Sequence, residues 1–397
     1  MSGEPSGMIG ERVRAWRRHR RLGVDELAAR SGLPQRFLAQ AERGEQRFER
    51  WWQVAQVADV LEVPACELAG QPYLPADPGD SRVGAAVVRI RRVLLEAGSS
   101  ELGQVPRRRG ELGERVAEAT RLRLYGADEE LARRLPDLLA DLIVAAREES
   151  AAGPWQLLVE ACDSTAVLLT RLGVVDLAWT CVERMADAAR RAGEAAAGLV
   201  ELRRADVLLA IGARARAVEI CRRAVAGQDA SRDRGVMRLC GMLLATASLA
   251  AAALNRPEAA FGFLRDAEAV ADRVSGDNAD GWGLAFGPET LGVWRLGVLV
   301  ELGHGADAVE SARSTDPGRL VPGEQVAAYY TGLARAYALV DRYDDALRAL
   351  LRAEDAAAFR IRIDPLVREL VADMMGHARR EAGGRELRGI ARRLGLG

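Results

Sequence analysis

Between Gly32 and Gly44 the chain sets Gln35, Arg36, Gln40 and Arg43 on one side of a short segment, at consecutive and one-turn spacings. A glutamine amide can bond adenine N6 and N7 together, and an arginine can do the same to guanine O6 and N7 in a major groove. Leu38 and Ala41 fall on the other side, and Gly44 offers a left-handed stop without Cβ strain. The segment therefore reads as a short helix with an apolar back and a polar front suited to base edges. Just before it, Val24 to Ser31 is a second short helix with Leu27 and Ala28 turned inward, ended by Gly32. Two short helices about a glycine-containing turn form a helix-turn-helix.

The charge pattern agrees locally, although the whole-chain net charge is only -1 (56 basic and 57 acidic residues). There is no lysine, so every basic residue is an arginine. Arg12, Arg14, Arg17, Arg18, Arg20 and Arg21 fall within ten residues, with no acid between Glu11 and Asp25. A cationic footprint of this kind need only be local to matter for nucleic acid.

These residues, with the Glu42-Arg43-Gly44 ending, a helix from Trp52 to Leu61, Val63-Pro64 and Glu67-Leu68, resemble the Cro/phage-repressor-like (XRE) DNA-binding domains. The resemblance implies five short helices over Ile9 to about Gly70 and binding to double-stranded DNA. On it, Gln35, Arg36 and Gln40 meet base edges, while Arg43, Arg47 and Arg14 or Arg17 meet phosphates, which position a domain without specifying sequence. The chain departs from the family in three places: Val24 stands where a glutamine is usual, Pro34 replaces the usual serine cap, and the loop after Gly44 is one residue longer. That loop carries Arg47, Phe48, Arg50, Trp51 and Trp52, and the two tryptophans read as packing groups.

Residues 1–70 thus form a helix-turn-helix domain and 71–82 a linker, marked by Pro72, Pro75, Pro78, Gly70 and Gly79, which cannot continue a helix. Residues 83–397 read as helix throughout, broken by short Gly, Asp or Pro stops and almost without strand-like alternation. Val83 to Ala97 places Val87, Ile90, Val93 and Leu94 at helical spacing and is read as a dimer helix or a connector; Gly98 to Gly110 follows as a polar loop. Tyr330, Leu333, Ala334 and Tyr337, then Ala346, Leu350 and Ala353, match the tetratricopeptide (TPR) pattern of paired helices with small residues at their crossing. Weaker copies set crossing positions at 131, 178, 217, 260, 308 and 346, separated by 47, 39, 43, 48 and 38 residues. Those intervals exceed the 34 residues of an ideal repeat, so longer helices or inserted loops are expected. The fold class is all-α: a five-helix helix-turn-helix domain followed by a TPR-like α-solenoid with a polar-backed helical end.

Taken whole, the chain resembles the XRE-TPR regulators common in actinomycetes and is similar in architecture to peptide-responsive quorum-sensing regulators. That resemblance implies a transcription regulator that forms a homodimer and holds a small-molecule or peptide effector on the concave side of the array. Candidate effector contacts are Trp282 and Phe286, in the long segment from Ser275 to Pro288, with Trp294, Trp179 and Tyr329. The competing reading makes these aromatics repeat core. At the level of the whole chain, the alternative is an interaction scaffold binding a protein partner, with a vestigial helix-turn-helix.

Other chemistries find no support. The chain has no GxxxxGK[ST], GxSxG or HExxH, and its three histidines, His19, His304 and His377, lie far apart, so neither an enzyme, a cofactor nor a metal site is expected. Cys66, Cys162, Cys181, Cys221 and Cys240 form no CxxC pair and read as reduced small hydrophobes. Met1 to Gly7 lacks a signal-peptide core and no run reaches 18 apolar residues, so no membrane partner is expected and the cytoplasm is the expected compartment.

Overall fold

The computed structural model describes residues 8–72, 78–96, 109–148, 152–193, 196–227, 233–274, 282–381 and 384–396. Five helices build the first domain: α1 (Ile9–His19), α2 (Val24–Ser31), α3 (Gln35–Glu42), α4 (Trp51–Leu61) and α5 (Ala65–Leu68). Gly32 turns the chain between α2 and α3 at φ 69°, a left-handed geometry that glycine adopts without penalty. Ile9, Val13, Leu27, Leu38, Phe48, Val54, Leu61 and Leu68 close into one small core, so every helix of the domain gives its apolar face to the same centre.

Helix α6 (Pro78–Glu96) begins inside the expected linker, whose residues 73–77 lie outside the described residues. Val83, Val87, Ile90 and Leu94 bury its inner face, and it lies along α8 (Asp128–Glu148). The expected loop from Gly98 falls almost wholly outside the described residues, as do Met1 to Gly7 and Ser275 to Gly281.

Antiparallel pairs follow. Helix α7 (Arg109–Leu124) pairs with α8, α9 (Ala152–Arg171) with α10 (Val175–Ala192), and α11 (Ala197–Ala210) with α12 (Arg214–Ala226). Then come α13 (Arg234–Ala253) with α14 (Pro257–Ala271), α15 (Pro288–Leu302) with α16 (Gly305–Ala312), α17 (Glu324–Ala338) with α18 (Tyr343–Ile363), and α19 (Pro365–Glu381) with α20 (Arg385–Arg393). The six crossing positions, Leu131, Ala178, Ala217, Ala260, Ala308 and Ala346, are each the fourth residue of a second helix, and each is fully buried. Five of them are alanine because the paired backbones come close there. First helices also pack on one another along the series (α7 on α9, α9 on α11, through to α17), which puts them on the inner radius of a TPR-like solenoid.

The array curls until late pairs meet early ones. Arg171 at the end of α9 holds Asp128 at 3.0 Å and also pairs with Glu324 at the start of α17, while Arg362 reaches Glu129 at 2.5 Å. Among the described residues there is no strand. Helix α13 alone among them is long and apolar enough to cross a membrane, and 72% of that stretch is buried inside the array, as a core helix would be.

Candidate DNA-reading face and its seat on the array

The front of α3 is open. Gln35, Arg36 and Arg43 are exposed and Gln40 is half-buried; none of the four bonds to the array. Arg43 closes a fork onto Glu45 with both contacts at 2.7 Å, an exposed pair that a phosphate could displace at small cost. Arg14 is exposed and, like Arg18, Arg21 and Arg36, has no ion-pair partner among the described residues. Two expected phosphate contacts are placed differently. Arg17 is held inward, with Nε and Nη2 on the Glu42 carboxylate at 2.6 and 2.7 Å and Nη1 on the Leu22 carbonyl at 2.8 Å. It ties α1 to α3, with three of its five N–H donors already engaged inside the domain. Arg47 is buried in ion pairs with Asp373 of α19 and, at 3.2 Å, with Glu49. Sequence spacing showed the cation but not the anion 326 positions away that claims it.

Behind that open front, the domain sits on the array through the extra-long loop and the start of α4. The Trp51 Nε1–H donates to the Ala210 carbonyl at 3.1 Å, Arg214 donates to the Trp52 carbonyl at 3.2 Å, and the Trp52 N–H donates to Glu301 at 3.4 Å. Arg335 donates to the Glu49 carbonyl at 2.8 Å, and Gln71 donates to the Arg171 carbonyl at 3.2 Å. The two tryptophans are thus packing groups, and the surface they pack on is the array. These partners come from the turns or neighbouring ends of α9–α10, α11–α12, α15–α16 and α17–α18, with α19 adding Glu369 and Asp373. One small domain bridges five helix pairs of the same solenoid.

Glu369 is the most deeply set of these contacts. It accepts the Ile9 N–H at 2.6 Å, and burial lifts its carboxyl to about 7 even though the Ile9 and Phe48 N–H groups, Arg12 and Arg47 all favour ionisation. A carboxyl whose folded value lies above its unfolded one, 4.5, keeps a proton in the folded chain that the unfolded chain has already lost. Its contribution to stability is therefore complete below pH ~4.5 and is lost as pH rises through ~7. We predict that urea unfolding followed between pH 5 and 7.5 shows this decline, of order 2–3 kcal/mol, and that Glu369→Gln, which keeps the acceptor oxygen, removes that part of the slope. An unchanged slope in the variant would count against the assignment.

Inside the array the charges are paired across first helices. Arg203 donates to Asp163 at 2.6 Å and to Asp206 at 2.7 Å, and Arg123 lies 3.5 Å from the same Asp163. Arg123 also donates to the Trp282 and Gly283 carbonyls at 3.4 and 3.3 Å, which fixes the end of the long segment against α7. Glu324 shows the opposite titration to Glu369. Burial works against its charge, yet Arg171, Arg360 and Arg123 together hold it down to about 2. Asp163 and Arg123 reach this group from other helices, and nothing in the sequence around Arg203 indicates it.

The expected aromatic wall does not assemble. Phe286 is fully buried against α13, where a Cβ on Gly241 would fall 2.1 Å from its ring. Tyr329 is buried with its hydroxyl donating to the Ala312 carbonyl at 3.0 Å and its ring edge-on to Tyr330. Trp294 packs in the α13–α14 cluster with Phe286, Trp282 packs against the cluster of the early pairs, and Trp179 is exposed on α10. Phe286 and Tyr329 are core residues, and Trp282 and Trp294 are partly buried against different clusters. Among the described residues no group of three His, Cys, Asp or Glu side chains could hold a metal ion.

No protein-family model matches the chain, and no curated protein matches it. A solved structure does align. It is PlcR of Bacillus thuringiensis in complex with the peptide PapR7 and DNA, 11% identical, covering 86% of this chain and 98% of that one, with a TM-score of 0.34. Overlap that loose decides nothing about this chain, whose fold stands on its own helices.

Proposed function

We propose that this chain is a sequence-specific DNA-binding regulator of the helix-turn-helix, XRE-like kind, working in the cytoplasm as a homodimer, with a TPR-like array that binds a small-molecule or peptide effector. The observation that carries the reading is the orientation of α3: Gln35 and Arg36 stand in solvent while the opposite parts of their domain are bound down on the array. Three groups that can read base edges, flanked by the unpaired Arg14, Arg18 and Arg21, are what a major-groove helix needs. A helix-turn-helix kept only for packing would have no reason to keep that front clear.

The seat suggests the control. A domain that rests on five helix pairs moves whenever the curvature of the array changes, because those turns then shift relative to one another. An effector that prefers one curvature thereby chooses one placement of α3, and in a dimer it sets the spacing of two such helices against the roughly 34 Å half-site repeat of DNA. The test is a mobility-shift titration of purified full-length protein on the DNA upstream of its own gene, with and without cell extract as a source of effector. Sequence-dependent, salt-sensitive retardation is the expected result. Equal retardation of a scrambled duplex under every condition would overturn the reading.

A further inference from the structure

A cavity of 860 Å³ opens where three parts of the chain meet: α5 of the helix-turn-helix domain, the connector α6, and the α9–α10 turn with the start of α10. Its volume falls in the range of small-molecule sites, which favour domain junctions. Pro64, Pro72, Val174 and Leu95, the last 71% exposed, give it apolar surface over a floor that includes the buried Val87 and Leu177. Glu67, Asp176 and Arg91 also line it, are exposed, and have no hydrogen-bond or ion-pair partner for their side chains among the described residues. Among the described lining residues, two carboxylates stand against one guanidinium, an excess of one negative charge.

We propose that this cleft binds a small amphipathic cation, an apolar body carrying one ammonium group, and that it is an effector site of the regulator. The apolar part lies along Val174 and Leu95 over Val87, and the ammonium meets Glu67 and Asp176. Their field does reach the interior: after burial, which acts most strongly, both carboxylates help to keep the Cys66 thiol above its ordinary value. Position makes the site consequential. Gln71, another lining residue, donates to the Arg171 carbonyl beside it, so a ligand here sits against one of the contacts that fix the DNA-reading domain to the array. The proposal rests on the regulator reading for its consequence only, since occupancy is measured without DNA.

The experiment is calorimetric titration of the full-length protein with three probes of one shape: 2-phenylethylamine, 2-phenylethanol and 3-phenylpropanoate. The amine is expected to bind about three- to tenfold more tightly than the alcohol, and the acid most weakly. Asp176→Asn and Glu67→Gln should each bring the amine toward the affinity of the alcohol, and Val87→Trp should abolish binding by filling the space. If Val87→Trp does not fold, Leu95→Arg, at an exposed position, should weaken the amine by placing a like charge at the edge. Equal affinity for all three probes, no heat with the amine at millimolar concentration, or an amine affinity indifferent to these substitutions would overturn the proposal. If Asp176→Asn alters the thermal midpoint but not the affinity, that carboxylate serves only the start of α10, and the charge argument fails. Amine binding by a protein that never discriminates between DNA sequences would leave the cleft standing and remove the regulator reading instead.

Discussion

A protein carrying Gln35→Ala, Arg36→Ala and Gln40→Ala together is expected to fold with an unaltered thermal midpoint, to keep its salt-sensitive hold on any duplex, and to lose about a thousandfold in affinity for its operator. Gln35 and Arg36 are exposed and support nothing else, so their removal has no structural route to an effect. Each bidentate base contact contributes about 1–3 kcal/mol of discrimination, and specific binding exceeds non-specific binding by about 10³ or more, so three such contacts account for most of that gap. Fluorescence anisotropy with operator and scrambled duplexes reads both quantities in one titration. Discrimination that survives the triple change would mean that α3 is not the reader, whatever else the domain does.

Phe286→Ala is expected to destabilise the array by about 3–5 kcal/mol, the usual range for emptying a fully buried phenylalanine site. The ring lies where Gly241 leaves room on α13 and is packed with Leu244, Leu291 and Trp294, so its loss leaves a void between α13 and α15 that rigid helices cannot collapse to fill. Chemical denaturation measures the cost directly. An alanine variant of full stability that has lost effector binding would instead restore Phe286 to the role the sequence first suggested.

The contrast between these two sites shows what a single sequence can and cannot carry. Helix starts and stops, the glycine turn at Gly32 and the inward spacing of Leu27, Leu38 and Ala41 are local signals, and the five helices of the first domain follow them closely. Crossing positions were legible for a related reason: a close approach of two backbones demands a small residue, and Ala178, Ala217, Ala260, Ala308 and Ala346 announce it. Partners separated by hundreds of residues leave no such trace. Nothing near Arg47 indicates that Asp373 will neutralise it, and nothing near Ile9 indicates that Glu369 will accept its N–H. Aromatics mislead in the same way. A ring in an unusual segment reads alike whether it faces a ligand or a helix, and only the place of Gly241 opposite Phe286 separates the two.

The way the first domain straddles the solenoid restricts how the molecule can evolve. An open chain of repeats tolerates gain or loss of a unit, since each touches only its neighbours. Here Trp51, Trp52, Glu49, Arg47 and Ile9 must find their mates on four helix pairs at once, and Arg171 must still reach Glu324 across the closed circuit. A duplicated or deleted pair would leave the saddle too wide or too narrow for its rider, so members of this lineage should vary in side chains far more readily than in the number of pairs.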